Sequence, residues 1–435
     1  MLTNENKTIS YLVVTILICI SGNQAFNFHG HPRTVLVIVA VLFSVLMYRY
    51  KLFDFSGRFC LAFGGFLGIL VVQSFCFSFF PTVTIAGFLT RLFIAYAACR
   101  LVKDFTRTYI NILFWIGVVS LCFFLPERVF YALGIEIRVF FEPLARFIGS
   151  KEELHILVYN FDVRTRNAGM FWEPGAFAGY LMLAIIFLGL EKDKFETRWF
   201  WIRFVILLVA LLTTFSTTGY VVLPFALLLY FRLNRQAKVV SVRNFLVFFL
   251  SVLSIQYMAY ESNVFNLASM QKHGKYRDVY LSNTDKDFIF QKTLKQFKNA
   301  VYKGPGRYRN RFDDLVCDLD YIRRRPLLGW GLNRKTRYML HPMREYGSGH
   351  GEGLTDFTTK FGFVGLGIFL LCVLRSFMES TGHRLAISIF ATLLVLLILN
   401  GESFLSFPLF MGLMFLEKGQ SQTGTRHCKT DSLWL

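Results

Sequence analysis

Several features are missing from this 435-residue chain, and each absence narrows what it can be. It has no GxxxxGK[ST] phosphate loop and no dinucleotide fingerprint in a strand–turn–helix setting, so any chemistry it performs outside a membrane is expected to run without ATP. Its eight cysteines give no disulfide framework. Cys19, Cys60, Cys76, Cys99, Cys122 and Cys372 fall inside apolar runs and read as small apolar fillers, while Cys317 and Cys428 suggest no pair. No internal repeat is strong enough to identify. Acidic residues are scarce, 28 Asp and Glu against 47 Lys and Arg, which leaves a formal charge of +19.

Apolar residues are abundant: 54% of the chain is hydrophobic and 17% aromatic. They arrive in blocks long enough to cross ~30 Å of hydrocarbon. Spans are expected near 9–26, 34–49, 59–80, 83–101, 108–125, 174–190, 199–216, 219–232, 244–260, 354–376, 384–400 and 403–417. The reading is an all-α polytopic membrane protein of about twelve transmembrane helices, ten or eleven if the short blocks do not cross. The first block lacks a cleavage site and reads as a retained signal anchor. Basic clusters lie between spans two and three (Arg49, Lys51, Arg58), four and five (Arg100, Lys103, Arg107) and eight and nine (Arg232, Arg235, Lys238, Arg243). All fall on one side if the chain starts inside, which makes both termini cytoplasmic.

This divides the chain into N-terminal spans (1–125), an outward loop (126–172), central spans (173–260), a large outward loop (261–353), C-terminal spans (354–417) and a polar cytoplasmic tail (418–435). In the first loop, RVFYALGIEIRVFFEPLARFIG places Arg128, Arg138 and Arg146 among apolar residues at helical spacing. That suits a helix in the membrane interface or an ordinary helix covering the bundle. The large loop carries 18 Lys and Arg against 10 Asp and Glu. Its excess reads as a surface for an anionic partner or as a merely solvated basic face. Within it, FIFQKTLKQFKNAVYKG looks like a basic amphipathic helix suited to anionic headgroups.

Three outward patches beside spans are polar and glycine-rich. RTRNAGMFWEPGAFAGYL offers Arg164, Arg166 and Glu173; RNRFDDLVCDLDYIRRRPLLGWGL has a helical segment from Arg311 to a turn at Pro326; HPMREYGSGHGEGLTDFTTKFGFVG carries His350 and Glu352. Arginine suits phosphate oxygens, with a fixed charge and two parallel donors. A histidine with a near-neutral pKa can accept or position a hydroxyl proton. Together they suit a displacement in which an alcohol attacks and a phosphorylated group leaves. Arg323, Arg324 and Arg325 read as a solvated or headgroup-facing run, and His29 and His31 as a loop turn. The carboxylates of DKD (285–287) and DLD (318–320) stand at i and i+2, which point apart on a helix, so no metal is expected. Arg91, inside span four, costs roughly 2.5–3.5 kcal/mol if it faces lipid. It should therefore face a polar cavity, with Glu402 a candidate partner, or snorkel to the surface.

RNAGMFWEPGAFAGYL resembles the segment of bacterial O-antigen and exopolysaccharide polymerases in which an Arg precedes Gly-x-x-x-Glu-Pro at a helix start. The spacing from Arg311 to PLLGWGL resembles a pattern that these polymerases share with O-antigen ligases. GHGEGLTDFTTKFGFVG resembles their His-Asn stretch before a glycine-rich helix, with Gly351 where many ligases have Asn. STTG at Ser216–Gly219 sits where ligases often show Ser-Arg-Gly. The resemblance implies a GT-C-like glycosyltransferase bundle in the bacterial cytoplasmic (inner) membrane, with its active site facing the periplasm. The enzyme would be inverting and metal-independent, would need no cofactor, and would take a glycan on undecaprenyl pyrophosphate as donor. Arg166, Arg311 and Arg164 would then bind the pyrophosphate. His350 would orient or deprotonate the attacking hydroxyl, and Glu173 is a second candidate base, although it could equally cap its helix. Arg91 and Glu352 are candidates for the cavity. The implied partners are the bilayer, a chain-length regulator and a flippase, with no nucleic acid. Glu-Pro in the first motif and Gly351 in the third favour a polymerase over a ligase. A transporter is the rival class, but its repeated halves and midplane site are not visible in this sequence.

Overall fold

The computed structural model describes residues 4–23, 26, 32–135, 137, 139–143, 155–161, 166–233, 311–333, 336, 353–382, 384–402 and 404–417. Its helices are α1 (Asn4–Gly22), α2 (Pro32–Arg49), α3 (Gly57–Cys76), α4 (Thr82–Leu101), α5 (Phe105–Ala132), α6 (Pro174–Leu190), α7 (Thr197–Thr213), α8 (Thr217–Leu233), α9 (Arg311–Arg324), α10 (Gly353–Ser380), α11 (Leu385–Leu399) and the single turn α12 (Pro408–Met411). The described strands form one antiparallel hairpin, β1 (His155–Ile156) with β2 (Tyr159–Asn160). Among the described helices, α3, α4, α5 and α10 are long and apolar enough to cross a membrane. Shorter apolar helices include α1, α6, α8 and α11.

Several helices turn apolar faces outward. On α11, Leu385, Ile389, Leu393 and Leu397 are exposed at four-residue spacing, while Leu394, Val395 and Ile398 are buried. On α2, Val37, Ile38, Val41 and Val45 are exposed and Val39, Phe43 and Met47 are buried. A helix with apolar residues on its inner and outer faces alike expects lipid on the outside. Helix α6 differs, because nearly every residue from Pro174 to Gly189 is buried. It packs on α5, α7, α8 and α11 and forms the centre of the bundle.

Two expected spans are corrected. The block 403–417 is not a spanning helix. It consists of a 3-10 turn at Phe404–Ser406, α12, and another 3-10 turn at Gly412–Phe415. Pro408 starts a turn that cannot extend backwards, and the broken segment still runs from the end that holds Gly401 to the end where Leu416 and Glu417 meet Arg58 and Arg100. It is buried from Phe404 to Leu416 apart from a half-buried stretch at Ser406–Phe407, so its irregular backbone is kept from lipid. Span five runs to Ala132 instead of stopping near 125. Pro126 removes only one backbone bond, and the extra turns gain packing against the hairpin. There Phe123 stacks on Tyr159, whose hydroxyl donates to Glu127 Oε2 at 3.1 Å. Burial, reinforced by that carboxylate, pushes the Tyr159 phenol far up, so it stays protonated and remains a donor. The expected span 244–260 lies outside the described residues.

The bundle has two distinct ends. At one, Arg58 bonds Glu379 at 2.9 Å, Ser376 and the carbonyl of Leu416, while Arg100 bonds Glu417 at 3.0 Å. Lys194 and Glu191 close the same end with Asp104. This network ties the start of α3, the ends of α4 and α10, and the last described residues together. Helix α6 then carries the chain to the other end, where Glu173 stands.

Candidate functional site at one end of the bundle

The first patch is held by side chains whose bonding capacity is almost fully used. Asn167 is fully buried; its Nδ2 donates to Thr213 Oγ1 at 2.9 Å and Ser120 Oγ at 3.2 Å, and its Oδ1 accepts from Gly169 N at 3.0 Å. That last bond is an Asx turn, and Gly169 completes it at φ +55°. Asn160, from the hairpin, donates to the carbonyls of Phe171 and Trp172. Between these anchors, Arg166 Nε donates to Thr214 O at 2.9 Å, which fixes the half-buried guanidinium beside the end of α7. Glu173 has extended backbone before Pro174 at the first position of α6, and its side chain makes no capping bond. The turn delivers a carboxylate to the mouth of the central helix.

The neighbouring turns meet this patch. Thr214, which receives Arg166, leads into the STTG turn, and Gly401 lies against Thr218 so closely that a Cβ there would sit 2.8 Å from Thr218 Oγ1. The turn after α11, which opens the NGES sequence at Asn400, lies against the start of α10, where a Cβ on Gly353 would fall 1.8 Å from Leu399 O and 2.8 Å from Glu402 O. From α10, Thr355 Oγ1 donates to the buried Asp318 of α9 at 2.9 Å. Asp320, by contrast, pairs with Arg324 at 3.1 Å, so the two carboxylates do point apart. Among the described residues, no group of three or more His, Cys, Asp or Glu could hold a metal ion.

Helix α9 is docked by a lock between two glycine motifs. Helix α10 breaks at Gly362 (φ +66°, ψ −174°), and the Pro326–Gly331 turn fills the break. Trp330 N bonds Thr359 O, Gly331 N bonds Lys360 O, Phe363 N bonds Pro326 O and Val364 N bonds Leu327 O, all at 2.7–3.1 Å. A helix break at membrane depth must have its freed backbone groups satisfied by protein, and this turn satisfies them. Gln73 of α3 adds bonds from Nε2 to the carbonyls of Leu328 and Lys360. PLLGWG and KFGFVG are thus structural partners.

The structure brings the Arg166–Glu173 patch, the STTG and NGES turns, the start of α10 and the docked α9 to one end of the bundle. Arg311 opens α9 as anticipated. Arg164, His350, Glu352, His29, His31, Arg138, Arg146, the DKD carboxylates and the segment 288–304 lie outside the described residues. Arg91 sits midway along α4. Sequence reasoning passed over Asn167, Asn160 and Gln73. Asn167 carried a signal, an Asn two residues before Gly in a polar turn. Gln73, inside an apolar helix, carried only its polarity.

Residues 202–370 match the protein-family model for O-antigen ligase. This places the segment in an O-antigen ligase-like superfamily, whose members are glycan-transferring membrane enzymes. The match takes in the STTG turn, Arg311, the Pro326–Leu332 turn and His350, and it begins after Arg166 and Glu173. No curated protein matches the chain. The chain is thus a mostly helical protein with helices long and apolar enough to cross a membrane, and its 202–370 segment is similar to O-antigen ligase.

Proposed function

We propose that this chain is a polysaccharide polymerase that joins undecaprenyl-pyrophosphate-linked repeat units on the outer face of the cytoplasmic membrane. The observation that carries this reading is the anchoring of Arg166 through a fully buried Asn167, at the same end of the bundle as Glu173 and the docked α9. The end that holds Arg58, Arg100 and Lys194 would face the cytoplasm, as the positive-inside bias requires. This reading has roughly ten to twelve spans and both termini in the cytoplasm.

The lipid diphosphate leaving group already carries the activation, so no nucleotide is needed. Arg166 and Arg311, with Arg164, would bind it and stabilise the charge that grows as the glycosidic bond breaks. Such stabilisation strengthens where water is sparse. His350 would orient or deprotonate the attacking sugar hydroxyl, with Glu173 the second candidate base, and attack from the opposite face inverts the anomeric centre. Arg91 and Glu352 would line the cavity. The family match also favours a second reading, an O-antigen ligase that moves a finished glycan.

Deletion of the gene followed by glycan electrophoresis separates the readings. A polymerase deletion leaves a single repeat unit attached, a ligase deletion leaves none, and a transporter deletion traps repeat units inside. Activity in purified membranes is expected to survive EDTA unchanged; loss that a divalent ion restores would bring the DKD and DLD carboxylates back as ligands.

A further inference from the structure

The three arginines that close α9 have separate fates. Arg323 is exposed, and Arg324 turns back to Asp320. Arg325 lies over two rings, its Cζ 4.3 Å from the centre of Phe77 and 4.9 Å from that of Trp330. The rings stack on each other at 19°. Their platform is rigid, because Trp330 is buried and its Nε1 donates to Tyr321 O at 2.8 Å. The guanidinium makes no hydrogen bond or ion pair with any described residue, and Arg325 is exposed. Stacking holds a guanidinium by its faces and leaves its in-plane N–H donors unspent. An arginine fixed in this way meets an anion without first paying for its own ordering.

The cation stands at the edge of a cleft of about 240 Å³ lined by Gln73, Cys76, Pro326, Leu327, Leu328 and Gly329. Gln73 is 4% exposed and spends its Nε2 on two carbonyls, which fixes the amide's orientation, yet its Oε1 accepts no hydrogen bond. An apolar cleft with one preset cation and one open acceptor fits a phosphate carried on an apolar chain whose head also offers a hydroxyl. This place is distinct from Arg311. The 14 residues of α9 separate the two arginines by roughly 20 Å of helix at ~1.5 Å per residue, more than one diphosphate spans.

We propose that Arg325, stacked on Phe77 and Trp330, seats the diphosphate of a second polyprenyl-linked saccharide. This rests on the polymerase reading, in which donor and acceptor both arrive on a lipid diphosphate. The site gives the second lipid a seat at the end of α9 remote from Arg311.

The test counts lipids bound to the purified full-length chain by native mass spectrometry in neutral detergent, with undecaprenyl diphosphate as probe and undecaprenol and phosphatidylglycerol as comparisons. The wild type is expected to hold two copies of the diphosphate and R325A one, with R325A eluting as the wild type does on gel filtration. F77L keeps the charge but loses a ring, and should weaken the second copy about fivefold to tenfold. Two copies on R325A at wild-type affinity would overturn the assignment. So would equal occupancy by phosphatidylglycerol, which would make this a headgroup site. A single copy on the wild type, lost in R311A and kept in R325A, would also overturn it while leaving the substrate reading intact. No diphosphate bound to the wild type at all would remove the substrate reading and this site with it.

Discussion

Arg311→Ala is expected to eliminate chain extension while leaving membrane insertion intact. Arg311 heads α9, seven residues before Asp318, which Thr355 ties to α10. The rest of the docking comes from the Pro326–Gly331 turn at the far end. Truncation at Arg311 touches neither of these contacts. If its guanidinium stabilises the departing diphosphate, the loss should be about 10²–10³ in rate, the scale of removing one preorganised donor at a developing charge. On a glycan gel this is a change from a ladder to a single step. Arg311→Lys keeps the charge and loses the parallel donors, so it too should be impaired. Near-normal ladders from Arg311→Lys would reduce the residue to a general positive charge, and ladders from Arg311→Ala would remove it from the site.

Gly362→Ala is expected to prevent folded protein from accumulating. Gly362 occupies a backbone region that is essentially glycine-only, at φ +66° and ψ −174°. A Cβ there would lie 2.1 Å from Leu327 O and 2.3 Å from Leu327 C, and backbone atoms cannot swing aside. Strain of order 1–3 kcal/mol adds to overpacking of similar size, and a membrane protein with its helix break unfilled has unsatisfied backbone groups besides. Gly64→Ala and Gly68→Ala are the controls. Both lie in α3 with nothing within 4 Å of an added Cβ, and helix propensity favours alanine. Yield and gel-filtration profile in detergent read the result. If Gly362→Ala behaves like the controls, the lock between the two glycine motifs does not hold α9 in place.

Much of this architecture is visible in hydropathy, because lipid forces each crossing segment to be both helical and apolar. Helices α1 to α8, α10 and α11 fall where apolar blocks stand, and α9 runs from Arg311 to the Pro326 turn as its polar-apolar spacing suggests. The exceptions share a physical cause. Hydropathy reports that a segment avoids water and is silent on whether it faces lipid or protein. The block 403–417 is as apolar as a span, yet it is folded into the bundle with Pro408 and Gly412 breaking its turns. The end of α5 was missed for the opposite reason: Pro126, Glu127 and Arg128 look like a loop, but tertiary packing through Tyr159 carries the helix on. At the site, arginines and glycines were conspicuous in sequence, whereas the residues that position them were not. Asn167 and Gln73 gain their roles only from where Thr213, Ser120, Leu328 and Lys360 come to lie. Arg325 looked like one of three equivalent surface charges, and two rings distant in sequence set it apart.

The most direct test is a reaction with defined lipid-linked repeat units and the purified chain, in which freed polyprenyl diphosphate and new glycosidic linkages are counted together. One diphosphate released per linkage formed, with both signals lost in Arg166→Ala and Arg311→Ala, is the predicted result. Linkages that form without diphosphate release, or release that proceeds unchanged in those two variants, would contradict the role assigned to the arginines.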